Sequence, residues 1–366
     1  MIPISDTLLS RTTELRHRLH TCPESSGNEV RTAMLLKQFL SEYTSLELRD
    51  CGAGFYAAHR EPDTAVPGIA LRADYDALDL GNGTAAHLCG HDGHAAALCG
   101  VALLLEGQRI GRNVFLLFQP AEETGQGAQS CREIFDRESI NEIYGIHNLP
   151  GYPLGKVFVR VGTFACASRG MAVTLKGICA HAAYPETGIS PAKSLGKLLC
   201  QMTELNQDAV KKHALCTVIG ARLGEQAFGT APGYAELWLT LRAEQDAVLE
   251  EVSAKVREFS ERAAADDGLS SSISIYDPFP ATVNDPACAE KVRSACNGTI
   301  LPEPMRWSED FGHYLNRCRG AFLGIGAGEN QPPLHNPCYD YPDALLLPTI
   351  RTFWALLEAP ASAATD

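Results

Sequence analysis

The chain carries a short apolar run that ends in acidic side chains, Gly68-Ile69-Ala70-Leu71-Arg72-Ala73-Asp74-Tyr75-Asp76. Two more short apolar runs, Val114–Phe118 and Ile143–Ile146, also end in polar residues, and helix-like stretches lie between the three runs. The polar residues that follow the runs are Asp74, Asp76, Glu122, Glu123 and His147. Buried strands that alternate with helices predict a layered α/β domain. Because function in such a sheet gathers at the carboxyl ends of the strands, we expect these polar side chains to meet there.

A second pattern begins at Met171 and ends at Asp277. Its segments are a strand at Met171–Gly177, a helix at Pro191–Val210, strands at Cys216–Gly224 and Ala235–Arg242, a helix at Asp246–Ala265 and a strand at Ser271–Tyr276. This β-α-β-β-α-β order is the ferredoxin-like arrangement, and roughly 110 residues suffice for a separate domain. We therefore expect an inserted domain at 169–277 and a first domain made of 1–168 and 278–366.

The composition excludes several classes of protein. The chain has 366 residues, a net charge of −13, 45% hydrophobic residues and 13 cysteines. An acidic balance without a Lys/Arg block argues against a nucleic-acid partner, and no run approaches the ~18 apolar residues that cross a bilayer. The start of the chain lacks the apolar centre of a signal peptide, and so many cysteines fit a reducing compartment. We therefore expect a cytoplasmic protein without a membrane partner.

The densest chemical cluster is His87-Leu88-Cys89-Gly90-His91-Asp92-Gly93-His94. Thiolate, imidazole and carboxylate groups are the ligands that bind zinc-like divalent ions. The cluster opens a predicted helix, Ala95–Leu105, whose dipole favours a thiolate at Cys89. A polar helix start with hydrogen-bonded histidines is the alternative. The cluster alone does not say which atoms bind an ion, or how many ions are bound.

Two adjacent carboxylates, Glu122 and Glu123, follow the second apolar run. They repel one another unless a cation lies near. A bound metal supplies that charge, so that one glutamate ligates while its neighbour serves as a general base that activates water. A solvated acidic turn is the alternative.

Five further residues join the candidates. His147 and His335 lie where predicted elements end, and the carboxylates of Asp74 and Asp76 are placed to hold a ligand histidine in the right tautomer,. His181 follows a strand of the inserted domain among small residues, where it is able to donate a hydrogen bond to an oxyanion,. A structural histidine or an ordinary surface turn is the alternative at each of these positions.

Together these motifs resemble the metal-dependent aminoacylase and carboxypeptidase superfamily. Within it they resemble the amidohydrolase branch of hippurate hydrolases, indole-acetyl-amino-acid hydrolases and N-acyl-diaminopimelate deacetylases. The matching strings are Leu15–Glu24, Ala70–Leu78, His87–His94, Phe118–Glu123, Gly145–His147, His181–Pro185, Ser308–Phe311 and Pro333–His335. The resemblance covers nearly the whole chain, and it implies a zinc-peptidase-like catalytic domain with an inserted βαββαβ lid.

The resemblance also implies a site with two divalent metal ions per chain. The implied ligands are Cys89, His91, Glu123, His147 and His335. Glu122 is implied as the general base, Asp76 as the orienting carboxylate, and His181 as a lid histidine that steadies the oxyanion across a dimer interface. The thiolate and imidazoles favour zinc, cobalt or nickel, and the carboxylate keeps manganese open.

The lid departs from the family pattern at Gly229, where the family carries an Asn that helps to hold the substrate. Pro232 and Arg242 keep the family spacing, and Arg242 either meets a substrate carboxylate or is structural. After His335, Asn336 stands where the family often has a second His. Neither the Gly229 nor the Asn336 change touches an implied ligand, so we expect catalysis with unusual specificity.

The leading hypothesis is hydrolysis of an N-acyl amino acid to a carboxylic acid and a free amino acid, by a homodimer joined through its lid. A metallo-dipeptidase or aminopeptidase acting on short peptides is the first alternative. A non-catalytic dimer that binds metal or small ligands is the second. Glu122 argues against the second alternative, since metal binding alone requires no general base.

Overall fold

The computed structural model describes residues 2–62 and 64–362. Its helices are α1 Asp6–His20, α2 Val30–Tyr43, α3 His91–Leu105, α4 Gly127–Cys131, α5 Ile134–Arg137, α6 Ala192–Val210, α7 Asp246–Asp266, α8 Pro286–Ala295, α9 Gly312–Leu315 and α10 Leu346–Glu358. Its strands are β1 Glu47–Cys51, β2 Gly54–His59, β3 Gly68–Asp74, β4 Leu78–Asp79, β5 Ala85–Ala86, β6 Val114–Gln119, β7 Ile140–Pro150, β8 Val157–Val159, β9 Gly162–Ala165, β10 Ala167–Lys176, β11 Ala180–His181, β12 Ala214–Leu223, β13 Thr230–Ala231, β14 Tyr234–Ala243, β15 Ser270–Phe279, β16 Thr282–Asn284, β17 Thr299–Ile300 and β18 Gly320–Gly328.

The chain clusters into two compact units. The first is made of Met1–Phe164, Thr282–Pro304 and Asp310–Asp366, and the second of Ala165–Ala281 and Met305–Glu309. The short segment 305–309 belongs to the second unit because the Cys166 N–H donates to the carbonyl oxygens of Met305 and Trp307, at 3.1 and 3.2 Å. The assignment of catalytic and lid roles to the predicted ranges stays a prediction.

An eight-stranded mixed sheet carries the first unit, with the strand order β1-β2-β6-β3-β7-β18-β8-β17. The central pairs β6–β3, β3–β7 and β7–β18 are parallel, and their strands are near-continuous runs of buried residues, as covered parallel sheets require,. The register pairs Asp74 with Gln119 and His147 with Gly324, so the carboxyl ends of β3, β6 and β7 share one edge. The predicted α/β fold is confirmed.

Helix α3 is the buried centre of the helical layer in this unit. All its residues except Leu103 are buried, and α1 and α10 pack against it. Close packing requires glycine at two positions: a Cβ at Gly93 would lie 2.4 Å from the Tyr341 ring, and one at Gly100 would lie 2.5 Å from Ile350. The helix begins four residues before the predicted Ala95, at His91, which places His91 and His94 in its first turn.

Strand β7 extends beyond its predicted end at Ile146 and continues to Pro150. His147 therefore lies within the strand rather than after it, as the apolar run had suggested. The strand accommodates this polar ring because the backbone pairs with Gly324 of β18, while His147 Nδ1 lies 2.9 Å from the Asn148 carbonyl oxygen.

The second unit has its own sheet and its own core. Its antiparallel strands follow the order β12-β14-β10-β15, and α6 and α7 pack on them. In chain order these elements run β10-α6-β12-β14-α7-β15, which confirms the predicted β-α-β-β-α-β arrangement. Alternate residues of β10, namely Met171, Val173 and Leu175, enter the core beside Leu198 and Val256 of the helices.

Within residues 2–62 and 64–362, none of the helices is both long enough and apolar enough to cross a membrane.

Candidate metal centre

The start of α3 depends on a glycine that no other residue replaces well. Gly90 precedes the helix with φ +101°, a left-handed conformation that glycine adopts without strain,. A Cβ at this position would lie 2.6 Å from the Asn148 amide oxygen. This tight turn sets Cys89 and His91, on either side of Gly90, toward the carboxyl edge of the sheet.

The turn after β6 carries the two adjacent glutamates. Ala121 has φ +51°, a strained conformation for a residue with a side chain,. The next two residues take different partners. The Glu123 N–H donates to Asp76 Oδ2 at 3.0 Å, whereas Glu122 Oε1 accepts the Asp310 N–H at 3.3 Å. The strained turn thus presents two carboxylates whose surroundings differ.

His335 lies in the C-terminal segment of the first unit, far along the chain from the other predicted ligands. Its φ is +65°, again a left-handed value. Its N–H donates to the Leu88 carbonyl oxygen at 2.8 Å, which ties the segment to the residue before Cys89. The His335 Nε2 atom lies 3.4 Å from Glu123 Oε1.

The structure brings all the predicted ligands of the first unit together with Glu122. Three overlapping groups have ligand atoms within 4.8 Å of one another: Cys89 with His91 and His147, Cys89 with Glu123 and His335, and His91 with Glu122 and Glu123. Cys89 Sγ lies 3.5 Å from His147 Nε2, and His91 Nε2 lies 4.0 Å from Glu123 Oε1. Atoms that are each ~2.1 Å from one tetrahedral ion are about 3.4 Å apart, so these separations fit shared ions.

The hydrogen bonding of the cluster also fits a cation. Within residues 2–62 and 64–362, His91 Nε2 and Glu123 Oε1 are buried and lack a hydrogen-bond partner. Buried polar atoms are normally satisfied, and both atoms point to where the three groups overlap. The donor set of thiol, imidazole and carboxylate suits zinc-like divalent ions.

The pKa shifts of the cluster also fit a bound cation. Contacts with Cys89 and Glu123 raise the pKa of His335 to about 10. Burial and the Glu123 carboxylate raise the pKa of Cys89. The expectation that the helix start favours a Cys89 thiolate is therefore wrong, because burial and the Glu123 carboxylate favour the thiol. The Cys89 and Glu123 side chains hold a proton tightly on His335. A divalent cation would stabilise the same group of side chains.

Asp76 lies where an orienting carboxylate is expected. Its Oδ1 atom is 3.0 Å from His91 Nδ1. A carboxylate only accepts hydrogen bonds when ionised, so Nδ1 carries the proton of this hydrogen bond and Nε2 is the ring nitrogen that faces the centre. Burial alone would raise the pKa of Asp76, but His91 and the hydrogen bonds of Ser26 and Glu123 lower it.

Sequence reasoning missed the role of His94. Its Nδ1 lies 2.6 Å from Asp74 Oδ1, and its Nε2 contacts the Asn148 side-chain oxygen. Both ring nitrogens are thus engaged, which makes His94 a brace between strands β3 and β7. The i, i+3 spacing of His91 and His94 placed both rings on one helix face, but the pattern did not show which ring binds and which one supports.

A buried polar network behind the glutamates was also missed. Arg72 Nη1 donates to Asp74 Oδ2 at 2.6 Å, and Arg72 Nη2 donates to Asp310 Oδ1 at 2.9 Å. Asp310 additionally accepts from Gln119 and from the Ala128 N–H. Burial raises the pKa of Asp310 to about 6 despite Arg72. Its link to Glu122 is a backbone N–H, which no residue-type pattern reveals.

A second acidic cluster does not fit a metal ion. His20, Asp92 and Asp340 also place ligand atoms within 4.8 Å of one another. However, the Arg16 guanidinium already lies among them, with Nε 3.0 Å from Asp92 Oδ2 and Nη2 in contact with Asp340. The positively charged guanidinium of Arg16 therefore takes the place between Asp92 and Asp340 that a metal ion would need.

Two predicted site residues belong to the second unit. His181 is exposed, pairs with Thr230, and accepts the Ala183 N–H at its Nδ1 atom. Arg242 donates to Ser308 Oγ at 3.0 Å. A Cβ at Gly229 would meet no described atom within 4 Å, so packing does not require glycine there. The roles of His181 and Arg242 stay predictions.

The sequence profile of peptidase family M20/M25/M40 matches residues 70–359. The chain belongs to this family. Residues 70–359 include every predicted site residue, from Asp76 to His335. The family is one of hydrolases that act on amide bonds.

The chain is also similar to individual proteins over most of its length. N-acetyl-L-cysteine deacetylase of Bacillus subtilis is 28% identical over 360 residues, which cover 93% of this chain and 86% of the relative. Hippurate hydrolase of Campylobacter jejuni is 26% identical and covers 91% and 92% of the two chains. Among solved structures, a Bacillus subtilis protein described as a dinuclear metal binding peptidase from family M20 superposes with a TM-score of 0.80 at 24% identity, covering 97% and 98%. That likeness shows the shared M20 fold.

Proposed function

We propose that this protein is a metal-dependent amidohydrolase that cleaves an N-acyl amino acid into a carboxylate and a free amino acid. Membership of family M20/M25/M40 supports the reaction type. The relatives named N-acetyl-L-cysteine deacetylase and hippurate hydrolase support the substrate class, since both names describe N-acyl amino acids as substrates. The observation that carries the proposal is the pair of adjacent glutamates with different partners, beside a cluster of ligand atoms.

The residues that would hold two divalent ions are Cys89, His91, Glu123, His147 and His335. The similar Bacillus subtilis peptidase, described as binding two metals, supports this number. When bound, the ions supply Lewis acidity toward the amide carbonyl and lower the pKa of water. Zinc, manganese, cobalt and nickel all suit the donor set.

Glu122 is the proposed general base. Its side chain is 7% exposed, and Oε1 accepts the Asp310 N–H while Oε2 lies 3.9 Å from His91 Nε2. Oε2 is therefore directed to the ligand cluster, where it takes a proton from water as the water oxygen bonds to the carbonyl carbon. The same oxygen then delivers this proton to the amide nitrogen as the C–N bond breaks.

The test is Glu122→Gln, with exposed Glu261→Gln on α7 as the matched control. Gln keeps the shape of Glu but accepts no proton, so we expect hydrolysis of N-acetylcysteine and hippurate to fall at least ~100-fold. Metal content, measured by elemental analysis, should equal that of the wild type. Wild-type turnover by metal-loaded Glu122→Gln would refute the proposal.

Specificity is tested with a substrate panel. Purified protein loaded with each metal in turn should hydrolyse acyl-glycine, acyl-cysteine or acyl-diaminopimelate substrates faster than dipeptides. Faster cleavage of dipeptides would favour the short-peptide peptidase, and no cleavage of any amide would favour a binding protein. The roles of His181 and Arg242, the homodimer through the lid and the cytoplasmic location remain predictions beside this proposal.

A further inference from the structure

The turn that carries the glutamate pair does not hold its shape alone. Ala121, directly before Glu122, has φ +51°. Left-handed backbone is unfavourable for alanine and persists only where the surroundings hold it. Its carbonyl oxygen accepts the N–H groups of Gln126 and Gly127 at 3.3 and 3.0 Å, which closes the turn on one side. The other side is held from a distant part of the chain.

Glu29 supplies that contact. Its Oε1 atom accepts the Ala121 N–H at 2.7 Å, and the residue is only 7% exposed. Glu29 directly precedes α2, yet its carboxylate makes no capping hydrogen bond to the first N–H groups of that helix, where an anion is favoured,. Burial and the charge of Asp76 raise the pKa of Glu29. A carboxylate that is buried away from its own helix is not explained by the stability of α2.

The same loop also reaches the other side of the glutamate pair. Ser26 Oγ donates to Asp76 Oδ2 at 2.7 Å, and this oxygen also accepts the Glu123 N–H at 3.0 Å. The Glu24 carbonyl oxygen accepts the Ala77 N–H at 2.9 Å, which fixes the loop beside Asp76. Residues 24–29 therefore contact the backbone before Glu122 directly and the backbone of Glu123 through Asp76.

We propose that the 24–29 loop positions the glutamate pair, with Glu29 as the main positioning residue and Ser26 acting through Asp76. The inference rests on the proposed function, because it assigns Glu29 to the placement of the general base Glu122. Glu29 touches neither water nor substrate in this scheme. It holds the strained turn at Ala121, so that the Glu122 carboxylate stays aimed at the ligand cluster.

The test compares Glu29→Leu with Glu29→Gln. Leu fills the space but accepts no hydrogen bond, so the Ala121 N–H loses its partner and the turn is free to shift. A shift of about 1 Å at a catalytic group lowers rates up to ~100-fold. We expect kcat of Glu29→Leu to fall 10- to 100-fold with KM changed less than threefold, measured with metal restored to wild-type content. Glu29→Gln, whose amide oxygen accepts the same N–H, should keep kcat within about threefold.

Glu61→Leu is the matched control outside the loop. The Glu61 side chain is also buried, and its carboxylate accepts the backbone N–H groups of Ile110 and Gly111, in a part of the first unit that carries no proposed site residue. Its loss should lower thermal stability and leave kcat unchanged. If Glu29→Leu fails to fold, Glu29→Asp carries the test, because it keeps the charge but shortens the reach by one methylene.

A double variant separates this inference from the proposed function. If Glu29 acts through Glu122, adding Glu29→Leu to Glu122→Gln lowers kcat no further, since both changes remove the same contribution. Multiplied losses would overturn the positioning role, as would wild-type kcat in Glu29→Leu or equal losses in Glu29→Leu and Glu29→Gln. Wild-type turnover in Glu122→Gln alone would instead refute the proposed function.

Discussion

Asp76 is a single carboxylate that serves two proposed ligands at once. One oxygen faces the His91 ring at 3.0 Å, and the other accepts the Glu123 N–H at 3.0 Å. The side chain thus sets the direction of an imidazole and the position of a neighbouring carboxylate. Groups that orient metal ligands in this way tune the affinity of a site without touching the ion.

Replacing Asp76 with Asn tests this role. The amide offers one acceptor oxygen where the carboxylate offers two, so either His91 or Glu123 loses its partner. We expect metal affinity to fall about 10- to 100-fold, measured by competition with a chromophoric chelator. Asp79→Asn is the control, because Asp79 is exposed on the same segment. Unchanged affinity in Asp76→Asn would contradict the orienting role.

At the residue scale, the sequence predicted which residue types form the proposed metal centre, but it did not predict the hydrogen bonds that orient them. The string Cys89–His94 and the pair Glu122–Glu123 pointed to a metal site because their residue types are those of metal ligands. The pattern did not separate His91 from its neighbour His94, whose ring is held by Asp74 and Asn148. Which nitrogen faces an ion depends on partners far away in the chain, and only the fold supplies them.

Helices α1 and α3 are joined by a buried arginine. The Arg16 side chain is 4% exposed, and its Nε donates to Asp92 Oδ2 at 3.0 Å. Asp92 is fully shielded from solvent at its carboxylate and directly follows His91. His20, one turn after Arg16, lies 2.8 Å from the same oxygen. The ion pair therefore anchors the first turn of the helix that begins the metal centre.

We expect Arg16→Leu to lower the free energy of unfolding by about 3 kcal/mol. Removing one partner of a buried ion pair leaves the other charge uncompensated. Urea unfolding measures the change, and Arg18→Leu, an exposed residue of the same helix, should stay within about 0.5 kcal/mol of the wild type,. If the two variants unfold alike, the Arg16–Asp92 pair does not hold the helices together.

At the scale of elements, apolar runs predicted the central strands, but β18 escaped detection. Glycine normally weakens a strand, and no individual strand was predicted at Gly320–Gly328. The fold demands these glycines: a Cβ at Gly320 would lie 2.1 Å from the Ile143 carbonyl oxygen, and one at Gly324 would lie 2.2 Å from Leu149. Such close approach arises only after β7 and β18 pair, and it is absent from local sequence.

At the scale of the whole molecule, a buried glutamate joins three distant segments of the first unit. Glu142 is fully buried, and Lys291 and Arg112 lie 2.9 and 3.3 Å from its Oε2 atom. Burial alone would raise the pKa of Glu142, but the hydrogen bond and charge of Lys291 outweigh it and lower the pKa below 4.5. The folded state therefore favours the ionised form, and this stabilisation is present above pH 4.5 and is lost as the pH falls through the folded pKa.

Glu142→Gln should lower the free energy of unfolding at pH 7 by about 3 kcal/mol, since Lys291 and Arg112 lose their counter-charge. The difference from the wild type should shrink as the pH falls below about 4.5, because protonation then removes the same charge from the wild type. Urea unfolding at several pH values measures both effects, with the exposed Glu290→Gln on α8 as the control. A difference that stays constant between pH 7 and pH 3 would exclude this role for Glu142.

The long segment of the second unit, 165–281, begins and ends with paired strands. β10 and β15 are hydrogen-bonded neighbours with Ser168 opposite Phe279, so these positions near the two ends of the segment are about 5 Å apart,. This pairing closes the segment on itself, and insertions in its exposed loops need not disturb that closure. Such insertions are therefore expected to leave the five proposed ligands, which all belong to the first unit, in place.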